Sequence, residues 1–342
     1  MKSIISLASD NFSGIHPEVL SAIEKANRGH SMAYGDDPWT QRAQELFKHH
    51  FGPSCEAFIV FNGTGANVCG LRHVLSTWQA AFCTNTAHIW TDECGALQAV
   101  GCSLIPVPAK EGKLDLKTLQ PFIEYQGNLH HIQPAAISIT QSTEMGTLYS
   151  LDEMKKIAQF ARKHNLLFHV DGARISNAAA ALKVPLKTLS TDVGVDILSY
   201  GGTKNGLMGA DAILFLRPGL SKNFQYVWKQ HSQLASKMRF LSAQLVALLE
   251  GDLWLKNASH SNAMAKLLEE KLRREVPQTK ILFPVEANSV FVQMPATVLK
   301  KMQEKTFFWI WSEETSTARF MTTWDTNPEL IQQFVSDLKK SF

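Results

Sequence analysis

The stretch "VDILSYGGTKNG", residues 195–206, joins an apolar run to a glycine-rich loop that carries one lysine. The run "VDIL" predicts a buried strand, and Lys204 follows it among Gly201, Gly202 and Gly206. A surface lysine needs no such setting, whereas a lysine that bonds covalently to a ligand must be held in place. We therefore predict that Lys204 lies at a ligand site beside the end of a strand.

The chain on either side of this stretch alternates strand-like runs with helical patterns. The runs are "EAFIVF", "CSLIPVP", "AAISIT", "LLFHV", "VDILSY" and "ADAILFL". Ser150 and Glu153 form a predicted capping box at the start of one helical segment, "SLDEMKKIAQFARKHN". The alternation predicts an α/β fold with a mostly parallel central sheet covered by helices.

The pattern changes after Arg239. Two helical segments, "LSAQLVALLE" and "SNAMAKLLEEKLRRE", lead to strand-like "ILF", "SVFVQM", "FFWIW" and "ARFMTTW", and a last helix, "PELIQQFVSDLKK". We predict that residues 1–240 form an N-terminal arm with a large ligand-binding domain. Residues 241–342 are predicted to form a smaller C-terminal α+β domain.

Charge and composition are those of an ordinary globular protein. The 342 residues include 34 basic and 31 acidic side chains, a net charge of +3, without a dense basic run. This argues against binding of nucleic acid or an anionic membrane. No stretch approaches the ~20 apolar residues of a membrane span, and the start lacks the sustained apolar run of a secretory signal. The five cysteines show no CxxC spacing, so we expect a cytoplasmic protein without a disulfide framework or a metal site.

Two further motifs accompany Lys204. Asp171, in "HVDGAR", ends an apolar run, where a carboxylate can pair with a ring nitrogen of a ligand; alternatively it caps the next helix. The turn "NGTGAN", residues 62–67, precedes a helix and can bind phosphate through backbone N–H groups. It could equally be a plain tight turn, and it matches no dinucleotide or triphosphate fingerprint.

Together, the three motifs describe one ligand. A phosphate cradle, a carboxylate for a ring nitrogen and a lysine for an aldehyde are the groups that hold pyridoxal 5'-phosphate (PLP). Nearby positive charge or desolvation would lower the pKa of such a lysine and so favour its reaction with the aldehyde. We predict PLP as the cofactor.

At this point the chain resembles the L-threonine aldolases, fold-type I PLP enzymes of the β-eliminating lyase superfamily. The resemblance runs nearly end to end. It rests on "LASDNFSG", "YGDDPWTQRAQELF", "NGTGAN", "TAHIWTDECGA", "TQSTEMGTLYS", "HVDGARISNA", "SYGGTKNG" and "QLASKMRF". It implies the fold-type I PLP-dependent transferase fold and a low-specificity aldolase that cleaves L-threonine and L-allo-threonine to glycine and acetaldehyde.

The resemblance also implies roles for the residues around the cofactor ring. Lys204 would bond to the cofactor, and Asp171 would bind the pyridine nitrogen. His88 would stack over the ring and touch the substrate hydroxyl; without the motif, it would read as a core histidine. Gly63, Thr64 and Gly65 would hold the phosphate.

Substrate binding and the subunit interface follow from the same resemblance. Arg174 would contact the cofactor hydroxyl or the substrate carboxylate. Arg319 would clamp that carboxylate together with Ser9, although an arginine in a strand can also be a solubilising edge charge. Tyr34 and Arg239 would reach the cofactor of a neighbouring subunit. The implied assembly is a homotetramer with sites at dimer interfaces.

One position departs from the family pattern. Many relatives carry a histidine near the substrate hydroxyl, in a segment that here reads "TQSTEMG" and places Glu144 there. A glutamate can act as a general base if its pKa suits the site. Glu144 is therefore a candidate base, with His88 or a water as the alternatives.

Other readings stay open at this point. A β-eliminating lyase or an aminotransferase of the same fold would share Lys204 and Asp171. A non-catalytic binding protein has no need of such a lysine, and a nicotinamide dehydrogenase would need a fingerprint that this sequence lacks.

Overall fold

The computed structural model describes residues 6–342, which form two main β-sheets and the helices packed on them. The strands in chain order are β1 (Glu56–Val60), β2 (Gln79–Thr84), β3 (Ser103–Val107), β4 (Ala109–Lys110), β5 (Lys113–Leu114), β6 (Gln133–Thr140), β7 (Leu167–Gly172), β8 (Ile197–Tyr200), β9 (Asp211–Phe215), β10 (Lys280–Ile281), β11 (Ser289–Gln293), β12 (Trp309–Ser312) and β13 (Thr317–Met321).

The large sheet has seven strands in the order β1-β9-β8-β7-β6-β2-β3. Its strands run parallel except β9, which pairs antiparallel with β8 and with β1. The parallel neighbours require helical crossovers, and these cover the sheet faces. The carboxyl ends of β6, β7 and β8 therefore meet at one edge of the sheet, where the loops of Glu144, Asp171 and Lys204 begin.

The helices alternate with these strands along most of the chain. They are α1 (Pro17–Ala26), α2 (Pro38–Phe51), α3 (Gly63–Val74), α4 (His88–Thr91), α5 (Ala96–Ala99), α6 (Gln120–Ile123), α7 (Leu151–Lys163), α8 (Ile175–Leu182), α9 (Phe224–Gln230), α10 (Arg239–Leu249), α11 (Leu253–Glu275), α12 (Ala296–Gln303) and α13 (Pro328–Ser341), with short 3₁₀ segments at Asp10–Phe12, Leu116–Leu119, Thr203–Asn205 and Glu250–Asp252. The capping box predicted at Ser150 and Glu153 is present at the start of α7.

The small sheet has four antiparallel strands in the order β10-β11-β13-β12. Its apolar face packs on α11, α12 and α13 in a core of its own, which includes Leu268, Val290, Phe320 and Phe334. The N-terminal segment adds to this sheet, because Leu7 donates its N–H to Phe307 and accepts from that of Met321. This pairing carries the following residues toward the large sheet.

The predicted α/β architecture is confirmed, with differences in single elements. Strand β2 was not predicted, since "QAAFCT" has no β-branched residue before Thr84. The helical pattern "DLKTLQPFIEY", which follows the run "CSLIPVP", predicts one helix but forms only a 3₁₀ turn and α6, because Pro121 lacks the N–H of a helix interior. Helix α12 was also missed.

The division between residues 240 and 241 stays a prediction. Helix α10, which begins at Arg239, packs with α1 and α2, and its Leu241 and Leu245 belong to the core of the large sheet. Helix α11 contacts both α8 and α13. Among residues 6–342, no helix is both long and apolar enough to cross a lipid bilayer.

Candidate active site

A cavity of about 600 Å³ lies at the carboxyl edge of the large sheet. We call it the central cavity. It is lined by eight of the residues predicted from sequence, namely Ser9, Gly63, His88, Glu144, Asp171, Arg174, Lys204 and Arg319. Open α/β sheets place their ligands at this edge, and the structure brings these distant parts of the sequence to it.

Lys204 lies in the 3₁₀ segment that follows β8. No hydrogen-bond acceptor or carboxylate among residues 6–342 pairs with its amine. Burial lowers the pKa of Lys204, and the neighbouring Arg174 charge lowers it further. A larger fraction of the amine is therefore neutral and nucleophilic at a given pH.

The loop that carries Lys204 is fixed by the protein itself. Asp211 at the start of β9 accepts the backbone N–H groups of Gly202 at 2.8 Å and Thr203 at 3.0 Å. A Cβ atom on Gly201 would lie 2.5 Å from the carbonyl oxygen of Ala173, and one on Gly202 would lie 2.6 Å from that of Ala210. These glycines are thus required by backbone packing against neighbouring strand ends.

Asp171 is buried near the end of β7, with both carboxylate oxygens engaged. Oδ1 accepts the N–H of Ala173 at 3.0 Å, and Oδ2 accepts from Nδ2 of Asn67 at 2.8 Å. Helix α8 begins at Ile175, and its N-cap is Arg174. The alternative in which Asp171 only caps the next helix is therefore wrong.

His88 is the first residue of α4 and is connected to Asp171 through two buried side chains. Its Nδ1 lies 2.9 Å from Oε1 of Glu93, and Asn67 donates from Nδ2 to the same oxygen at 2.9 Å. The hydrogen bond with Glu93 is the main cause that raises the pKa of His88.

The same side chains could be considered as metal ligands. One ligand atom each of His88, Glu93 and Asp171 lies within 4.8 Å of the others. Hydrogen bonds through Asn67 already account for this proximity. The prediction that the chain holds no metal stays a prediction.

Glu144 reaches the central cavity from the loop after β6. Oε1 accepts from Thr140 Oγ1 at 2.6 Å and from the backbone N–H of His88 at 2.9 Å. Oε2 is buried without a partner among the described residues. Burial raises the pKa of Glu144 to about 7, so this carboxylate can both accept and release a proton near neutral pH.

Arg174 forms a two-point ion pair with Asp10 of the N-terminal segment. Nε and Nη2 donate to the two oxygens of Asp10 at 2.7 and 2.8 Å, and Asn288 donates to the same carboxylate at 3.1 Å. The guanidinium lowers the pKa of Asp10 against the opposing effect of burial. Asp10 thereby fixes Arg174 at the wall of the cavity.

Arg319, unlike Arg174, has no acidic partner among the described residues. It lies on β13, an inner strand of the small sheet, over the ring of Trp311 at 5.1 Å. Its Nε is buried and unpartnered, and no carboxylate among residues 6–342 lies within ion-pair distance. Burial lowers the pKa of Arg319 to about 10. The alternative of a solubilising strand-edge charge is wrong, and an anion in the cavity would supply the missing partner.

Ser9 and the start of α3 complete the cavity wall. The hydroxyl of Ser9 accepts the N–H of Asn11 at 3.2 Å. Helix α3 begins at Gly63, so the first N–H groups of this helix have no intrahelical partner, and the Asn62 side chain accepts only that of Gly65. Thr64 and Gly65 follow Gly63 in this turn. A Cβ atom on Gly65 would lie 2.6 Å from the side chain of Gln233.

Comparison with known proteins agrees with this geometry. The model of the β-eliminating lyase family matches residues 6–297. The chain belongs to this family of lyases. Low specificity L-threonine aldolases of Pseudomonas sp. (strain NCIMB 10558) and Pseudomonas aeruginosa are each 42% identical to this lyase over 97% of its chain and 96% of theirs.

A solved structure supports the same placement within the β-eliminating lyases. Threonine aldolase from Leishmania major superposes with a TM-score of 0.93 at 26% identity, covering 98% of this chain and 99% of that one. The predicted resemblance to the L-threonine aldolases and the predicted fold are confirmed.

Four predicted residues of this β-eliminating lyase do not line the central cavity, namely Thr64 and Gly65, which follow Gly63 in α3, and Tyr34 and Arg239. Tyr34 is about half exposed, with the Lys229 amine 5.0 Å from its ring centroid. Arg239 donates from Nη1 to the carbonyl of Gly29 at 3.1 Å. Neither lines the cavity of its own chain, and their role at a neighbouring subunit stays a prediction.

The structure adds site residues of this lyase that the sequence reasoning missed. They are Asp10, Asn67, Glu93, Thr140, Asp211, Gln233, Trp309 and Trp311. Asp10, Asn67, Glu93, Thr140 and Gln233 stand inside the quoted family stretches, within a few residues of those that were selected. A polar side chain inside such a stretch is the signal that could have found them.

Proposed function

We propose that this protein is a PLP-dependent L-threonine aldolase that cleaves L-threonine and L-allo-threonine to glycine and acetaldehyde. The observation that carries the proposal is that two cationic side chains without an acidic partner among residues 6–342, Lys204 and Arg319, line one cavity with the buried carboxylate of Asp171. A small amino acid whose carboxylate meets Arg319 fits this charge pattern.

The residues present fit PLP. When bound, PLP supplies an aldehyde for the substrate amine and a ring that accepts the electron pair of the broken bond. Lys204 would hold the aldehyde carbon, and Asp171, fixed by Asn67 and Ala173, would accept the N–H of the pyridinium ring. The free N–H groups of Gly63 and the residue after it would hold the phosphate, helped by the dipole of α3.

The substrate carboxylate binds to Arg319, with Ser9 as the second donor. Arg319 offers a planar pair of N–H donors, and no acid in the described part of the chain competes for them. Arg174 is already neutralised by Asp10, so it contributes shape and its remaining N–H donors. Binding of the carboxylate fixes the rotation of the substrate about its N–Cα bond. This orientation selects the Cα–Cβ bond for cleavage.

Glu144 acts as the base. Its carboxylate takes the proton of the β-hydroxyl, the carbonyl of acetaldehyde forms as the Cα–Cβ bond breaks, and Cα of the departing glycine gains a proton. A pKa of about 7 suits this task because the ionised form is available at neutral pH. Because Oε2 is buried and has no partner among the described residues, no other donor there competes with the β-hydroxyl for this oxygen.

A product assay tests the proposal. PLP-loaded protein should release acetaldehyde and glycine in equal amounts from both substrates, and Lys204→Ala should abolish the release. Pyruvate with ammonia would indicate elimination, and an amino-group acceptor requirement would indicate transamination. Either outcome would overturn the reaction while leaving the family intact.

We also infer a homotetramer with sites at dimer interfaces, in the cytoplasm. The side chain of Gln233 lies against Gly65, and Tyr34 donates its backbone N–H to the carbonyl of Ser236 in the same segment as Gln233. The turn proposed to hold the phosphate therefore lies near an exposed surface that includes Phe61 and Met208. Sedimentation of the purified protein tests the assembly. A monomer with full activity would contradict it.

A further inference from the structure

Glu93 and Asn67 form a buried polar link in the wall of the central cavity, and the proposed reaction uses only its contact from Asn67 to Asp171. The side chain of Glu93 has no solvent exposure. Its Oε1 receives His88 Nδ1 and Asn67 Nδ2, each at 2.9 Å, and the second N–H of Asn67 extends to Asp171 at 2.8 Å. The link therefore runs from His88 to Asp171 without a gap.

The chemistry of Asn67 sets the direction of these hydrogen bonds. A side-chain NH₂ group can only donate, and here it faces one carboxylate oxygen on each side. The opposite amide orientation would point Oδ1 at two carboxylates, which repel it. Oε1 of Glu93 and Oδ2 of Asp171 are thus both acceptors, and the proton between Glu93 and His88 belongs to Nδ1.

Charge balance gives the same result. A buried carboxylate is costly unless it is paired, and His88 is the one cationic side chain within ion-pair distance of Glu93 among the described residues. His88 also faces Asp171 from β7, Lys204 from the 3₁₀ segment and Glu144 from the loop after β6, while Asp92, Arg174 and Arg319 line the same cavity. Glu93 and Asp171 raise the pKa of His88, and Lys204 opposes them.

We propose that Glu93 is a positioning residue that keeps His88 protonated at Nδ1, and that Asn67 connects this pair to Asp171. The ion pair with Glu93 also favours the doubly protonated ring, in which Nε2 carries the second proton and donates to the cavity. In this form His88 cannot take the β-hydroxyl proton, and that task remains with Glu144. The consequence for the base rests on the proposed function. The link itself is a property of the protein without its ligands.

The test is a pH titration of the His88 ring by ¹⁵N NMR on the cofactor-free protein, with the resonance assigned by its loss in His88→Asn. In Glu93→Gln the titration midpoint of His88 should fall below that of the wild type. Asp92→Asn is the matched control, since Asp92 also lines the cavity but is exposed and forms no hydrogen bond or ion pair with the His88 ring among the described residues, and it should leave the midpoint in place.

A second measurement covers the case in which Glu93→Gln does not fold well enough for NMR. His88→Asn leaves the Glu93 carboxylate without a cation, so the double variant His88→Asn/Glu93→Gln should be more stable than the sum of the single effects. Additive effects, an unshifted midpoint in Glu93→Gln, or an equal shift in Asp92→Asn would overturn the proposal. A wild type that shows the link but releases no acetaldehyde would overturn the proposed function alone.

Discussion

Replacing Arg319 with methionine should improve stability while it removes activity. Burial lowers the pKa of Arg319 to about 10, roughly two units below the ordinary value of arginine, and each unit is worth about 1.4 kcal/mol. The cofactor-free protein therefore holds this charge at a cost of about 3 kcal/mol. Because the group is a cation, the cost is present at every pH below about 10.

The same charge is needed when the substrate binds. Two hydrogen bonds from a guanidinium to a carboxylate are worth roughly 1.5 to 3 kcal/mol each. Losing them should raise the activation free energy by about 3 kcal/mol or more. The value of kcat/KM for L-threonine should therefore fall at least about a hundredfold. Methionine keeps an apolar stem against the ring of Trp311, so the strand should not be disturbed.

The two effects are measured on separate samples. Urea unfolding of cofactor-free protein gives the free energy of unfolding, which should rise by up to about 3 kcal/mol in Arg319→Met. Acetaldehyde release gives kcat/KM. Arg273→Met, at an exposed residue of α11 that pairs with Glu269, is the control and should change stability by less than about 0.5 kcal/mol. A less stable Arg319→Met protein, or one with wild-type kcat/KM, would refute the reasoning.

Three further changes test other parts of the site. Glu144→Gln should reduce turnover by roughly 10²- to 10⁴-fold; in the wild type the rate should rise as the pH passes about 7, because the ionised base accumulates, and the variant should lose this rise. Asp10→Asn leaves a buried guanidinium unpaired and should lower the free energy of unfolding by about 3 to 5 kcal/mol at pH 7, measured by urea unfolding. In the wild type this contribution is present above the ordinary carboxyl pKa and is lost as the pH falls through the lowered pKa of Asp10. Gly65→Ala places a methyl group within 2.6 Å of Gln233 and should weaken PLP binding in a fluorescence titration, whereas Gly14→Ala, with no atom within 4 Å of the new Cβ, should not.

Each of these changes has an outcome that contradicts the account. Unchanged turnover in Glu144→Gln would move the base to another group. An Asp10→Asn protein as stable as the wild type would mean that Arg174 finds another partner. Equal PLP affinity in the two glycine variants would show that the start of α3 tolerates displacement.

The fold was readable from the sequence because its strands are short apolar runs and its ligand loops directly follow them. "LLFHVDG" became β7 with Asp171 near its end, and "ILSYGGTKNG" became β8 and the Lys204 loop. Strand β2 and helix α12 were not predicted because their local hydrophobic patterns are weak. Their conformation depends on neighbours that the chain supplies elsewhere.

The polar contacts of the site were harder to predict from the sequence, because they also depend on residues that are far apart in the chain. Asp10 and Arg174 are 164 residues apart, and Asn67 and Asp171 are 104 residues apart. The spacing of residues along the chain does not predict such pairs. The two glycines before Lys204 illustrate a related limit, since the sequence shows that small residues are needed but only the structure shows that Ala173 and Ala210 require them.

The central claim is that Lys204 holds the cofactor in this cavity. The direct measurement is borohydride reduction of the PLP-loaded protein, followed by digestion and mass spectrometry of the peptides. The account predicts a pyridoxyl phosphate group on Lys204 alone, and none on the Lys204→Ala protein treated in the same way. Label on another lysine with Lys204 unmodified, or protein that takes up no label, would contradict it.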